Sequence, residues 1–220
     1  MKIVASALID KPNEWFLEKW CEFHSKYCER LILKVDNLNK EDLEPSTYDM
    51  LKKYPVDVSP LGFEWHEGKA RTELLKATLL HDPDWICVCD SDEIFSDNFL
   101  LELDSLFNDT SVFWYSFPFF NFWKDLKHIR IDGAWGFHMR VLKIFRNTGN
   151  HNFTDKEYHV LPYPEGINAL NGKYLEHIKL KNCGWGAENS VENKSSKRGA
   201  HYREAVVVIL DNVILREVDF

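Results

Sequence analysis

The apolar positions in the first half of the chain follow two alternating rhythms. Residues 2–8 (KIVASAL) form a nearly continuous apolar run of strand length, closed by a polar, proline-containing turn at Asp10-Lys11-Pro12. After it, Trp15, Phe16, Trp20, Phe23 and Tyr27 recur at helical spacing, and Asn13 is placed to cap that helix. Residues 30–35 (RLILKV) predict a second strand that ends at Asp36-Asn37. A short helix is expected over 45–54, with Pro45 in its first turn, followed by a short strand at 56–58. Residues 69–80 predict a longer helix whose apolar side carries Ala70, Leu74, Leu75, Ala77 and Leu79. It stops at His81-Asp82-Pro83, because the residue before a proline is pushed away from helical angles. Residues 85–89 (WICVC) then read as a buried strand running straight into Asp90-Ser91-Asp92-Glu93.

Strands that alternate with helices of this length imply an α/β fold with a mostly parallel sheet and helices on both faces. Ligands of such sheets bind beyond the carboxyl ends of the strands. Asp10, Asp36 and the Asp90/Asp92 pair each follow a predicted strand, so acidic groups gather on one rim. The second half reads differently. A helix is expected over 100–107, a strand aromatic on both faces over 111–123 (SVFWYSFPFFNFW), and a further strand over 140–145 (RVLKIF). Residues 147–172, rich in Asn, Gly, Pro and His, are the expected mobile region. A short strand is expected at 176–180, and residues 188–210 mix a polar helix with the run AVVVIL. With no internal repeat and no linker, residues 1–220 read as a single domain, whose alternating pattern changes character between 1–110 and 111–220.

Composition narrows the partners. The chain has 220 residues and a formal net charge of -8, from 27 Lys+Arg against 35 Asp+Glu. An acidic chain without a long basic run is poorly suited to grip a nucleic acid. A small phosphorylated ligand remains compatible, especially if a metal accompanies it. The first ten residues lack the length of a signal peptide, and no window reaches the about 18 apolar residues of a membrane span. The five cysteines, Cys21, Cys28, Cys87, Cys89 and Cys183, are odd in number and form no C-x-x-C pair, as expected of reduced thiols in a cytoplasmic protein. The three N-x-[ST] triplets, at Asn108, Asn152 and Asn193, are then coincidental.

Asp90 and Asp92, separated by one residue at a strand end, can point to the same side and offer hard oxygen ligands to Mg2+ or Mn2+. An ion there would offset the charge of a diphosphate leaving group. Their context, a buried strand before and Ile94-Phe95 after, sets them apart from a solvated acidic turn.

This arrangement resembles the family 2-type glycosyltransferases of the GT-A fold. Gly68-Lys69-Ala70-Arg71 is similar to that family's G-x-A-R helix start, and residues 85–93 to its apolar strand and D-x-D-[DE]. Asn13-Glu14, Trp20 and His24, then Val35-Asp36-Asn37, resemble its N-E…W…H and strand-D-N pattern. Residues 140–147 and His159 resemble its R-x-x-R-x-F-R-N…H segment. The likeness runs to about Arg203 and implies a single GT-A (Rossmann-like) domain with a central mixed, mostly parallel sheet, 1–110 its nucleotide-sugar-binding half and 111–220 its acceptor-side half. It also implies transfer of a sugar from a nucleotide-diphosphate donor, expected to be a UDP-sugar, to a glycan or glycoprotein acceptor, with Mn2+ or Mg2+ as cofactor. Asp36, Arg71, Asp90 and Ser91 would then hold the nucleotide, and Asp92, with Asp90, the metal.

Two departures matter. The family's late H-x-G-[YW] is here Asn182-Cys183-Gly184-Trp185, with Asn at the His position, and His177, five residues upstream, stands as the substitute ligand. Where many members carry H-E, this chain has His159-Val160. An inverting transferase needs a carboxylate to take the acceptor's proton, and Asp132, Asp155 and Glu157 are the candidates. A retaining enzyme needs no base there.

The remaining features point elsewhere. The aromatic run over 113–123 reads as core filling before sugar stacking, although Trp123 and Trp135 sit where an acceptor would lie. The nine histidines show no zinc-ligand spacing, Cys87 and Cys89 read as core, and Lys194, Lys197 and Arg198 form a small basic cluster. A sugar-1-phosphate nucleotidyltransferase shares the sheet but starts with a Gly-rich phosphate loop, whereas Leu8-Ile9-Asp10-Lys11-Pro12 has no glycine. A non-catalytic glycan-binding module is the other alternative. A glycoside hydrolase needs two carboxylates across the sugar, about 5–9.5 Å apart, which adjacent Asp90 and Asp92 suit less well.

Overall fold

The computed structural model describes residues 1–37, 42–123, 125–131, 139–149, 151–157, 160–183 and 215–217. The chain opens with strand β1 (Ile3–Ile9), a 3₁₀ turn (Lys11–Phe16), helix α1 (Leu17–His24) and β2 (Arg30–Val35). Helix α2 (Pro45–Leu51), β3 (Val56–Pro60), α3 (Glu67–Leu79) and β4 (Trp85–Val88) follow. Then come β5 (Glu93–Phe95), α4 (Asn98–Phe107), β6 (Trp114–Asn121), β7 (His128–Arg130) and β8 (Arg140–Arg146). Short strands β9 (Gly172–Tyr174), β10 (Leu180–Asn182) and β11 (Leu215–Glu217) complete the described elements.

The main sheet has the order β3-β2-β1-β4-β8-β6-β10-β5, with β9 also on β6. Its first four strands are parallel, as their helical crossovers require. β8 joins β4 antiparallel, β6 is antiparallel to β8, and β10 is parallel to β6. A β7–β11 pair forms a separate ribbon. Because β3 lies beyond β2 while β4 lies on the other side of β1, the strand order reverses at β1. The carboxyl ends of β1 and β4 therefore flank a topological switch point, the place where open α/β sheets bind ligands.

The strand alternation sorts the core into two faces. Ile3, Ala5, Ala7 and Ile9 of β1 join the cluster that contains Leu17, Trp20 and Cys21 of α1. Val4, pointing the other way, packs with Ile32 and with Leu74 of α3. β4 repeats the rule, with Trp85 and Cys87 on the α1 face and Ile86 and Val88 with Leu75 on the α3 face. Tyr115, Phe117 and Phe119 of β6 are buried in the main core, so the aromatic run fills the interior.

Boundaries differ from expectation where local chemistry intervenes. The first helix begins as a 3₁₀ turn through Pro12 and becomes α-helical at Leu17. α2 ends at Leu51. β5 was not foreseen, being three residues within an acidic-to-apolar turn. The short strand expected at 176–180 lies instead at Leu180–Asn182, held by Asp92 O accepting from the Cys183 amide at 2.8 Å. In the expected mobile stretch, residues 154–157 dock on the start of α3, where Glu67 N donates to Glu157 O and Gly68 N to Lys156 O. Residues 188–210 lie outside the described residues.

Candidate active site

Asp10, Asp36 and Asp90 follow β1, β2 and β4, and Asp10 and Asp36 are buried. The ends of β1 and β2 are tied where Asp36 N donates to Ile9 O at 2.9 Å. Residues 90–93 turn sharply, with Glu93 N donating to Asp90 O and Asp90 N donating to Glu93 Oε2, both at 2.9 Å. Ser91, Asp92 and Glu93 are all buried.

Three elements converge on that turn. From α3, Arg71 donates through Nε to Glu67 Oε1 at 3.0 Å, and its Nη1 lies 3.7 Å from Asp90 Oδ1. From β8, Lys143, 2% exposed, places Nζ 2.6 Å from Glu93 Oε2 and 3.7 Å from Asp90 Oδ2. From β10, Asn182 Nδ2 lies 3.5 Å from Asp92 Oδ1. One buried ammonium thus faces an acidic turn. Burial pushes Glu93 up to about 7, Lys143 working against it and Asp90 and Asp92 adding like-charge repulsion. Burial alone would lower Lys143, but Asp90 and Glu93 outweigh it and hold the ammonium above the usual lysine range.

Buried polar atoms near the turn point to a missing partner. Ser91 Oγ and Asn182 Oδ1 make no hydrogen bond in the structure, and neither does Asn37 Oδ1 at the end of β2. Such atoms are costly to bury unsatisfied, and a ligand is one way to satisfy them. Among the described residues, no three His, Cys, Asp or Glu side chains group into a metal cage. The carboxylates of Asp90 and Asp92, one residue apart in the turn, and the neighbouring Asn182 side chain nevertheless offer hard oxygen donors. The chemistry suits a Mg2+-type ion, which takes one or two carboxylates, here Asp92 with Asp90, and completes its shell from phosphates and water.

The residues expected from the sequence fall into three groups. Asp36, Arg71, Asp90, Ser91 and Asp92 lie on the carboxyl-end rim or reach it from α3. His177 is turned to α4, where its Nε2 is 2.8 Å from Glu102 Oε1, and Asn182 is the β10 residue beside Asp92. Asp155 is exposed and pairs with His66 at 3.5 Å, and Glu157 contributes its carbonyl to the start of α3. Asp132, His159, Trp135 and the cluster of Lys194, Lys197 and Arg198 lie outside the described residues. Lys143, Glu93 and Glu67 were not anticipated. Their signal was present in a lone charge inside VLKIF and in carboxylates bordering buried segments.

Of the remaining motif residues, His24 meets the acidic turn, whereas Glu14 and Arg146 tie other parts of the fold together. His24 Nε2 is hydrogen-bonded to Glu93 O at 3.2 Å and its ring packs on Trp20. Glu14 accepts from the Glu44 amide at 2.8 Å and from the Thr47 hydroxyl, at the start of α2. Arg146 donates to the carbonyls of Val112 and Asp109 and lies over the Trp85 ring.

This order of strands, with the acidic turn after β4, is the GT-A fold. The chain resembles a crystal structure of residues 1–349 of S. aureus TarS, with a TM-score of 0.53 at 11% identity over 99% of this chain and 67% of that one. The complex of TarS with UDP-GlcNAc aligns over 55% of this chain and 35% of that one, at 15% identity and a TM-score of 0.43. A glucosyl-3-phosphoglycerate synthase from Mycobacterium tuberculosis, crystallised with Mn2+, UDP and glucosyl-3-phosphoglycerate, aligns over 55% and 44% at 16% identity and a TM-score of 0.40. The chain thus spans between about a third and two thirds of these proteins' lengths. No protein-family model and no curated protein matches it. No helix among the described residues is long and apolar enough to cross a membrane.

Proposed function

We propose that this chain is a metal-dependent glycosyltransferase that moves a sugar from a nucleotide-diphosphate donor, a UDP-sugar, to a glycan acceptor. The observation that carries the reading is the convergence of Arg71, Asp90 and Asp92 at the sheet's switch point, beside the buried, unsatisfied Ser91 Oγ and Asn182 Oδ1. UDP follows from the sequence resemblance.

In this reading Asp36 accepts hydrogen bonds from the base or ribose, and Asp90 from the ribose hydroxyls. Arg71, held by Glu67, keeps a fixed positive charge beside Asp90. Asp92, with Asn182 and the neighbouring Asp90, would hold Mn2+ or Mg2+. When bound, such an ion compensates the charge of the departing diphosphate. If transfer inverts the sugar, a carboxylate must take the acceptor's proton, and Asp132, Asp155 and Glu157 are the proposed set. Asp155 and Glu157 belong to the segment docked on α3, whose first turn supplies Glu67 to Arg71.

Calorimetric titration of UDP with and without Mn2+ tests the reading. Binding that requires the ion and disappears on chelation is expected; absence of metal-dependent binding overturns it.

A further inference from the structure

β8 carries one residue too many where it pairs with β6. The register passes from Tyr115↔Ile144 to Ser116↔Leu142, which leaves Lys143 as the extra residue of a β-bulge. A bulge re-aims a side chain relative to the regular pleat and is common beside active sites. Here it accompanies the one charged residue of VLKIF, directed at the acidic turn.

The contacts of Lys143 close a ring. Its Nζ lies 2.6 Å from Glu93 Oε2, the same oxygen accepts the Asp90 amide at 2.9 Å, and Asp90 Oδ2 stands 3.7 Å from the ammonium. The other Asp90 oxygen faces Arg71 Nη1 at 3.7 Å. Each oxygen of Asp90 therefore meets a different fixed cation, which restrains rotation of the carboxylate. Stability alone gives little reason for such a ring, since a buried ion pair rarely outperforms apolar residues of similar volume.

We propose that Lys143 is a positioning residue of the donor site. Acting through Asp90 and Glu93, it holds residues 90–93 in the shape that presents Asp90 and Asp92 to a nucleoside diphosphate. The inference rests on the proposed function and adds to it a residue that does not itself touch the donor.

Lys143→Met alone strands the Glu93 carboxylate in the core, so its loss of folding would be uninformative. The informative variant is Lys143→Met/Glu93→Gln, which removes both charges and keeps their approximate shape. Its melting temperature is expected within a few degrees of wild type. Its affinity for UDP in the presence of Mn2+ should nevertheless fall about tenfold or more, the equivalent of one lost charge-assisted hydrogen bond. Amide exchange at Asp90 and Glu93, read without any ligand, should accelerate while the core strands keep their protection. Wild-type affinity and unchanged exchange in the double variant would overturn the proposal and reduce Lys143 to a counter-charge for Glu93. Failure of wild type to bind UDP is a different result: the functional reading then falls and this role falls with it.

Discussion

Gly68, the second residue of α3, is buried under the segment 154–157. A Cβ built there would sit 2.3 Å from Thr154 O and 3.0 Å from Lys156 N, both backbone atoms. Ordinary contacts begin near 3.4 Å, so in Gly68→Ala the segment must retreat by about 1 Å. That movement strains the hydrogen bonds from Glu67 N to Glu157 O and from Gly68 N to Lys156 O, each worth about 0.5–1.5 kcal/mol. Overpacking of a close contact costs about 1–3 kcal/mol, whereas alanine gains up to about 1 kcal/mol over glycine in a helix. The net expectation is a loss of about 1–3 kcal/mol, or about 2–12 °C in Tm for a chain of this size. Urea denaturation and thermal melting of Gly68→Ala, with exposed Lys69→Ala as a control expected within about 0.5 kcal/mol of wild type, measure it. Hydrogen exchange over 151–157 should accelerate in the glycine variant. A Gly68→Ala protein as stable as wild type, or more stable as helix propensity alone would have it, refutes the docking of this segment on α3.

The other expectations address the interior and the acidic turn. Glu93 titrates near 7 when folded against an ordinary 4.5, so between those values the folded state holds the extra proton and stability falls as pH rises from about 4.5 through about 7. Urea unfolding at pH 5 and pH 8 should show that fall in wild type and a smaller one in Glu93→Gln; equal falls would contradict it. The five cysteines are free and buried, so Ellman's reagent should find no fast thiol in native protein and five after unfolding, and a rapidly reacting native thiol would contradict the core packing. Because His177 is engaged by Glu102, His177→Ala is expected to leave UDP affinity with Mn2+ within about threefold of wild type, under the about 10–100-fold that loss of even an outer-shell partner of a metal ligand costs. A larger loss would return His177 to the metal site.

The first half of the chain was legible because its signals are local. A buried parallel strand is a continuous apolar run, and β1, β2 and β4 are each followed within two residues by an aspartate that marks the rim. Strand order at the centre of the sheet follows from the crossovers, and the switch point follows from the order. The other half resisted for physical reasons. β5 and β10 are three residues each, too short for periodicity, and are fixed by pairing with each other across a long stretch of sequence. The ammonium of Lys143 reaches the turn because of a bulge, and a one-residue register shift leaves no mark in hydrophobic pattern. His177 and Asn182 illustrate the same limit. Spacing alone left them, with His159, as alternatives for one ligand position; in the structure Asn182 Nδ2 lies 3.5 Å from Asp92 Oδ1 while His177 meets Glu102.

A crystal structure of the chain with UDP and Mn2+ tests the central claim most directly. The account predicts the diphosphate and ion at the carboxyl ends of β1 and β4, with an Asp92 oxygen on the ion, Arg71 beside the nucleotide and the uridine near Asp36. Nucleotide and ion bound elsewhere, or an ion that leaves Asp92 uncontacted, would contradict it.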